Sequence, residues 1–264
     1  MNKFVKKVSV LVLAVVMILS FAGCSQFTKA KLDESAILTT VGDVKVTAGM
    51  VNFYARYNQS LLEGYYSQSS VELWTQEVER GVTYEDTMKD DILAELQDLY
   101  LVQMHAEEYE ISVTDDELEA IEKAAKAFEK ANKKDTKEKA SVKKEYAVEY
   151  LKLVTLQEKL YDVLEEKHLK EAGKDSKDAD AAKEIAKKNA ETEYKELVEK
   201  WRKDVKITVN EKVWDQISFH DLQVMPIYDE VTTTEDTKKE ESTEKTEDEK
   251  ESDKEADKKE TEEK

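Results

Sequence analysis

The chain has 264 residues, 41 Lys+Arg against 60 Asp+Glu, a net charge of -19, and only 6 Gly, 1 Pro and 1 Cys. The charged excess and the poverty in Gly and Pro point to a helical protein with long solvated surfaces, in one or two domains. A lone cysteine excludes an intrachain disulfide framework, the scattered His105, His168 and His220 offer no ligand spacing for a metal or other cofactor, and the acidic balance disfavours nucleic acid.

Lys3, Lys6 and Lys7 precede an uncharged run, and Phe21-Ala22-Gly23 places small residues before Cys24. This looks like a bacterial lipoprotein signal, in which the Cys24 thiol receives diacylglycerol and residues 1–23 are removed. Phe21 departs from the leucine usual at that place. An uncleaved signal anchor is the alternative, because the apolar run approaches spanning length. Either reading puts the rest of the chain on the outer face of a bacterial cell membrane. Residues 24–34 then read as a tether, and residues 35–228 as the folded domain.

Ile37–Val41 and Val44–Val46 flank Gly42-Asp43, the pattern of a tight hairpin. Thr47 can cap a helix in which Met50, Val51, Tyr54, Tyr57, Leu61 and Tyr65 recur at helical spacing. Leu73, Trp74 and Val78 suggest a short helical turn ending at Gly81. Thr83, followed by Glu85 and Asp86, opens an amphipathic helix expected to reach about Glu108.

The sharpest local signal follows. Thr114 and Glu117 have capping-box spacing, and Val113 with Leu118 has that of a hydrophobic staple. Lysines and aspartates near 130–141 read as an exposed connection. The next helix, Val142 to His168, would be about 40 Å long at roughly 1.5 Å per residue. Its wide apolar arc, from Tyr146 and Tyr150 to Leu164, wants more than one neighbour. A break near 170–177 leads to a helix from Lys177 to Arg202, with Ala182, Ile185, Ala190, Tyr194, Leu197, Val198 and Trp201 as its inner face; whether it docks or projects is open. Val205–Val209 alternates as a strand expected to return to the hairpin, and Asn210 can cap a short helix with Val213, Trp214 and Ile217. Trp201 and Trp214 are assigned to packing. The fold class is therefore mainly α, a helical domain with a small β patch joining its two ends.

From Asp229 to Lys264 there are 17 acids and 8 lysines with no aromatic residue, a composition expected to stay disordered. Calcium or cell-wall contact is the lesser reading of that tail.

The leader, the hairpin and helix, the segments YEISVTDDELEAIEK and LKLVTLQEKLYDVLEE, and the terminal WRKDVKITVNEKVWDQI together resemble the extracytoplasmic foldase and chaperone family of parvulin-type prolyl isomerases. The resemblance covers the chaperone part, about Ile37 to Ile217. In that family an isomerase domain interrupts the chaperone part; here Leu169 to Asp204 reads as a lysine- and alanine-rich helix, so His168 and His220 inherit no catalytic role and no enzyme is expected. The resemblance implies binding of incompletely folded secreted proteins, with the membrane as the second partner through the lipid. Aromatic and thioether groups offer adaptable contact, so Tyr54, Tyr57, Tyr65, Tyr66, Trp74, Met88 and Met104 are the candidate client-binding residues. Ordinary core packing is the competing reading for each. At the level of the whole protein, the alternative is a non-catalytic lipoprotein engaging one dedicated partner.

Overall fold

The computed structural model describes residues 18–20, 31–66, 70–172, 179–222 and 224–227, all in one unit. Its first element, Ile18–Ser20 (β1), pairs antiparallel with Met225–Ile227, Leu19 standing opposite Pro226. These three residues lie in the expected leader, so this ribbon exists only while that leader is attached. Cys24 and the acidic tail lie outside the described residues.

The hairpin forms as its pattern dictates. Ile37–Val41 (β2) pairs with Val44–Thr47 (β3), and Gly42 turns the chain at φ 57°, a left-handed conformation that a Cβ disfavours. Leu38, Val41 and Val46 point inward. Thr47 accepts from the Met50 amide at 3.3 Å and so opens Ala48–Tyr66 (α1). After Ser70–Trp74 (α2) the chain departs from the expected helical turn. Glu77–Glu79 (β4) and Val82–Thr83 (β5) form a second hairpin, with Gly81 at φ 79°. Val78 therefore lies in a strand, because the glycine supplies a turn and the flanking residues have no buried helical face.

Thr83 caps Tyr84–Met104 (α3) through a full capping box with Asp86. That helix stops at Met104, short of Glu108, and a 3-10 turn, Ala106–Tyr109, takes the chain round. Asp115–Ala131 (α4) starts at the expected capping box: the Thr114 hydroxyl accepts from the Glu117 amide, and the Glu117 carboxylate accepts from the Thr114 amide. The connection after it is less exposed than its charges suggest. Lys134–Lys139 (α5) intervenes, and Asn132, Thr136, Ala140, Ser141 and Val142 are buried, with Asn52 donating to Lys139 O and to Ser141 Oγ.

Lys144–Ala172 (α6) is the hub, packing against α1, α3, α4 and the helix that follows it. Its wide apolar arc is used as expected: Phe53 from α1 meets Phe128 from α4 edge-on at 6.0 Å, and Phe53 also meets Tyr150 of α6. Ala179–Asp204 (α7) docks along α6. Ala182, Ala186 and Ala190, spaced by four, let the two backbones approach, while Tyr194, Val198 and Trp201 complete the buried row. Ile185, expected inside, is exposed because it falls one position off that alanine row.

Ile207–Val209 (β6) returns to β2 with Thr40 opposite Thr208, giving the antiparallel order β3-β2-β6. Asn210 opens Glu211–Trp214 (α8) with its backbone carbonyl, which accepts from Val213 and Trp214; its side chain makes no cap. Trp201 and Trp214 are both buried. The partner strand of β1, Met225–Ile227 (β7), ends the described chain.

Two variants test this packing. Burial alone would raise the Glu117 carboxyl, but hydrogen bonds from Lys159, at 2.7 Å, and from Thr114 outweigh it and hold the group below its ordinary 4.5. Its stabilisation is present above pH 4.5 and is lost as pH falls through the lowered value. Glu117→Gln should cost about 2 kcal/mol in urea unfolding at neutral pH, and the gap from the unsubstituted protein should close on acidification. At Gly49 a Cβ would clash with the Tyr146 hydroxyl. Gly49→Ala should cost about 1–3 kcal/mol alone, and close to nothing in a Tyr146→Ala background, where the helix propensity of alanine is free to act.

Candidate functional site

On α1 the residues Arg56, Gln59 and Glu63, at helical spacing, make a polar stripe, and all three are buried. Buried polar groups require partners, and the segment after α8 supplies most of them, the Arg56 Nε–H being left without one. Arg56 donates to Ser218 O at 2.9 Å, Gln59 donates to Phe219 O and Leu222 O, and Glu63 accepts from the Val224 amide at 2.7 Å. From α3, Glu85 accepts from the Phe219 and His220 amides, and its carboxylate also meets His220 Nδ1. Burial pushes the Arg56 guanidinium down to about 10, opposed by Glu85, Glu63 and Asp221. Burial raises the Glu63 carboxyl, and hydrogen bonds from Trp74, Gln59 and Val224 restrain the shift.

This stripe fixes an aromatic series that climbs from the core to the surface. Trp74 donates its indole N–H to Glu63 at 2.8 Å, meets Phe219 at 4.9 Å and stacks on Tyr84 at 5.5 Å between centroids. Tyr84 meets Tyr66, and Tyr66 meets Tyr65 at 5.1 Å, both edge-on. Burial and a hydrogen bond with Tyr66 push the Tyr84 phenol up to about 12. Exposure rises along the series from 0% at Trp74 to 44% at Tyr66 and 82% at Tyr65. Val78 and Val82, on the second hairpin that leads directly into Tyr84, are exposed as well. The outer end is thus apolar area held on a rigid foundation.

The seven candidate residues do not form one surface. Tyr65 and Tyr66 stand at the outer end of the series. Trp74 is its buried foot and cannot meet a client directly. Tyr54 and Tyr57 are buried, their rings 5.5 and 5.4 Å from that of Tyr150. Met88 is half-buried against the core, and the Met104 methyl lies over the Gly42 turn. Of the structural residues, Val113 packs on the core and Leu118 is half-buried. Sequence reasoning missed Tyr84, the exposed valine hairpin and the whole Ser218–Val224 segment. The signal for the last was present in the Arg56-Gln59-Glu63 stripe, which is too polar for a buried helix face unless something covers it.

Among the described residues no group of three or more His, Cys, Asp or Glu could hold a metal ion, and no helix is long and apolar enough to cross a membrane. The described residues form a helical scaffold tied together by a returning strand, with aromatic side chains presented at the surface. Its kind is given by comparison: the sequence model of the SurA-like N-terminal domain matches residues 1–140, and the chain belongs to that family of chaperone domains. The match ends at α5, whereas the fold continues through α6, α7 and the returning strand. No isomerase domain is matched, and neither a curated protein nor a solved structure matches the chain.

Trp74→Phe keeps an aromatic ring but removes a donor from the buried Glu63 carboxylate. It should lower stability by about 1–3 kcal/mol in thermal or urea unfolding. An unchanged midpoint would mean that the Glu63 cluster does not depend on the indole.

Proposed function

We propose that the protein is a membrane-tethered, extracytoplasmic chaperone that holds incompletely folded secreted proteins, with Cys24 as its lipid anchor and without an isomerase step. The observation that carries this reading is the outer end of the aromatic series, Tyr65 and Tyr66 with Val78 and Val82 nearby in the chain, on a domain of the SurA-like family. Apolar area of this kind on an otherwise highly charged protein accepts hydrophobic segments weakly while the surrounding charge keeps the complex in solution. The rings contribute adaptable contact, and the Trp74–Tyr84 stack beneath them limits the entropy lost on binding.

The test is light scattering by a denatured secreted protein diluted into buffer with increasing amounts of the purified chain. Scattering should fall at near-stoichiometric ratios, and the pair Tyr65→Ser and Tyr66→Ser should remove most of that effect while leaving the melting temperature within about 2 °C, since both side chains are exposed. No suppression beyond that of an acidic control protein would overturn the general chaperone reading, and one saturable folded partner would replace it. Mass analysis of membrane-extracted protein should find an acylated chain beginning at Cys24, and Cys24→Ser should release the protein from the membrane.

A further inference from the structure

A second aromatic site lies away from the exposed series, on the cleft between α1, α3, α6 and α7. A recess of about 350 Å³ is lined by Tyr54, Tyr150, Tyr194, Glu95, Asp98 and Gln157, with apolar atoms of Leu99 and Val154 completing it. Its rings are fixed in place. Tyr150 packs against Tyr54 and Tyr57, Tyr194 stacks on Tyr161 at 4.3 Å, and the Tyr194 hydroxyl accepts from Gln157 at 2.7 Å.

The two carboxylates of the recess differ in how they are answered. Asp98 is paired with Arg202, whose guanidinium also donates to Gln97 Oε1 and Ala94 O. Glu95 accepts only from the Tyr54 hydroxyl, at 3.2 Å, and among the described residues no basic side chain pairs with it. The recess lining contains no lysine or arginine. Glu95 is exposed as a whole, but partial burial raises its carboxyl, Asp91 and Asp98 raise it further, and the Tyr54 hydrogen bond opposes them. A cation entering here would meet an unpaired carboxylate and aromatic walls, both of which attract positive charge.

We propose that this recess binds a cationic side chain, lysine or arginine, from an extended client segment, so that the protein selects basic positions as well as apolar ones. This rests on the chaperone reading for the source of the segment, but the chemistry of the recess stands independently of it. The occupant is argued from charge complementarity: a tyrosine-lined recess with one uncompensated negative charge, on a protein of net charge -19 that raises the local concentration of basic segments.

The experiment uses the purified full chain and four short unstructured peptides identical except at a central residue: arginine, its uncharged isostere citrulline, lysine, and norleucine. Fluorescence anisotropy should show the arginine and lysine peptides binding about fivefold tighter than their neutral counterparts. Glu95→Gln should abolish that ratio without changing the melting temperature, whereas Tyr65→Ser with Tyr66→Ser should leave the ratio intact. Tyrosine-ring NMR signals of Tyr54, Tyr150 and Tyr194 should shift with the arginine peptide and not with the citrulline one. Equal binding of charged and neutral peptides, or a charge preference that survives Glu95→Gln, would overturn the proposal. So would a failure of all four peptides to bind a chain that still suppresses aggregation. Charge discrimination without aggregation suppression would instead keep the recess and remove the chaperone reading.

Discussion

The buried polar stripe on α1 is the constraint around which the domain is organised. An arginine, a glutamine and a glutamate placed beneath the surface are costly unless every donor and acceptor finds a partner of its own. Backbone groups from Ser218 to Val224, some 160 residues further along the chain, answer much of that need, and the Arg56 Nε–H is left without a partner. That need draws the end of the domain back onto its first helix, and the same glutamate orients Trp74, from which the aromatic series rises. Stability and the presentation of a binding surface therefore share one set of hydrogen bonds. A change that loosens the stripe would disturb the surface aromatics through Trp74 and Tyr84 even though it touches neither Tyr65 nor Tyr66.

The hub helix α6 plays a complementary part. It contributes Leu151, Leu153, Leu160 and Leu164 to the interior and Tyr150 to the recess, and it packs against α1, which carries Tyr65 and Tyr66. The docking of α7 makes the second of these possible. Its last turn carries Arg202, which satisfies Asp98 and so leaves Glu95 as the unanswered charge.

Much of this architecture was legible in the residues, and what was not has specific causes. The helix start after Thr83, the capping box at Thr114, the Gly42 hairpin and the return of β6 follow from local chemistry, because each is decided within a few residues or by a plain alternation. The second hairpin was hidden because Val78 also fits a helical spacing with Trp74. Ile185 was misplaced because an alanine row, with little apolar signal of its own, set the buried face of α7. Of the candidate site, Tyr65 and Tyr66 were read from type and position, but nothing local separates them from Tyr54, Tyr57 and Trp74, which share their spacing and are buried. Glu95 escaped notice because an unpaired carboxylate is defined by the absence of neighbours, which only the assembled helices decide.

The return of the chain to its own beginning has a kinetic consequence. Thr39 bonds Thr208 across 169 positions, and the partners of Glu63 and Gln59 lie almost as far along. As the polypeptide emerges from the ribosome, β2 and α1 appear first, and the strand and segment that satisfy them appear near the end of the domain. Until then the central strand keeps one edge unpaired and the polar stripe remains hydrated, so the early part of the domain cannot lock. Such distant pairings close slowly and only after nearly the whole domain has been delivered. The unfinished chain therefore cannot complete its sheet or cover its polar stripe until the segments after α7 have been made.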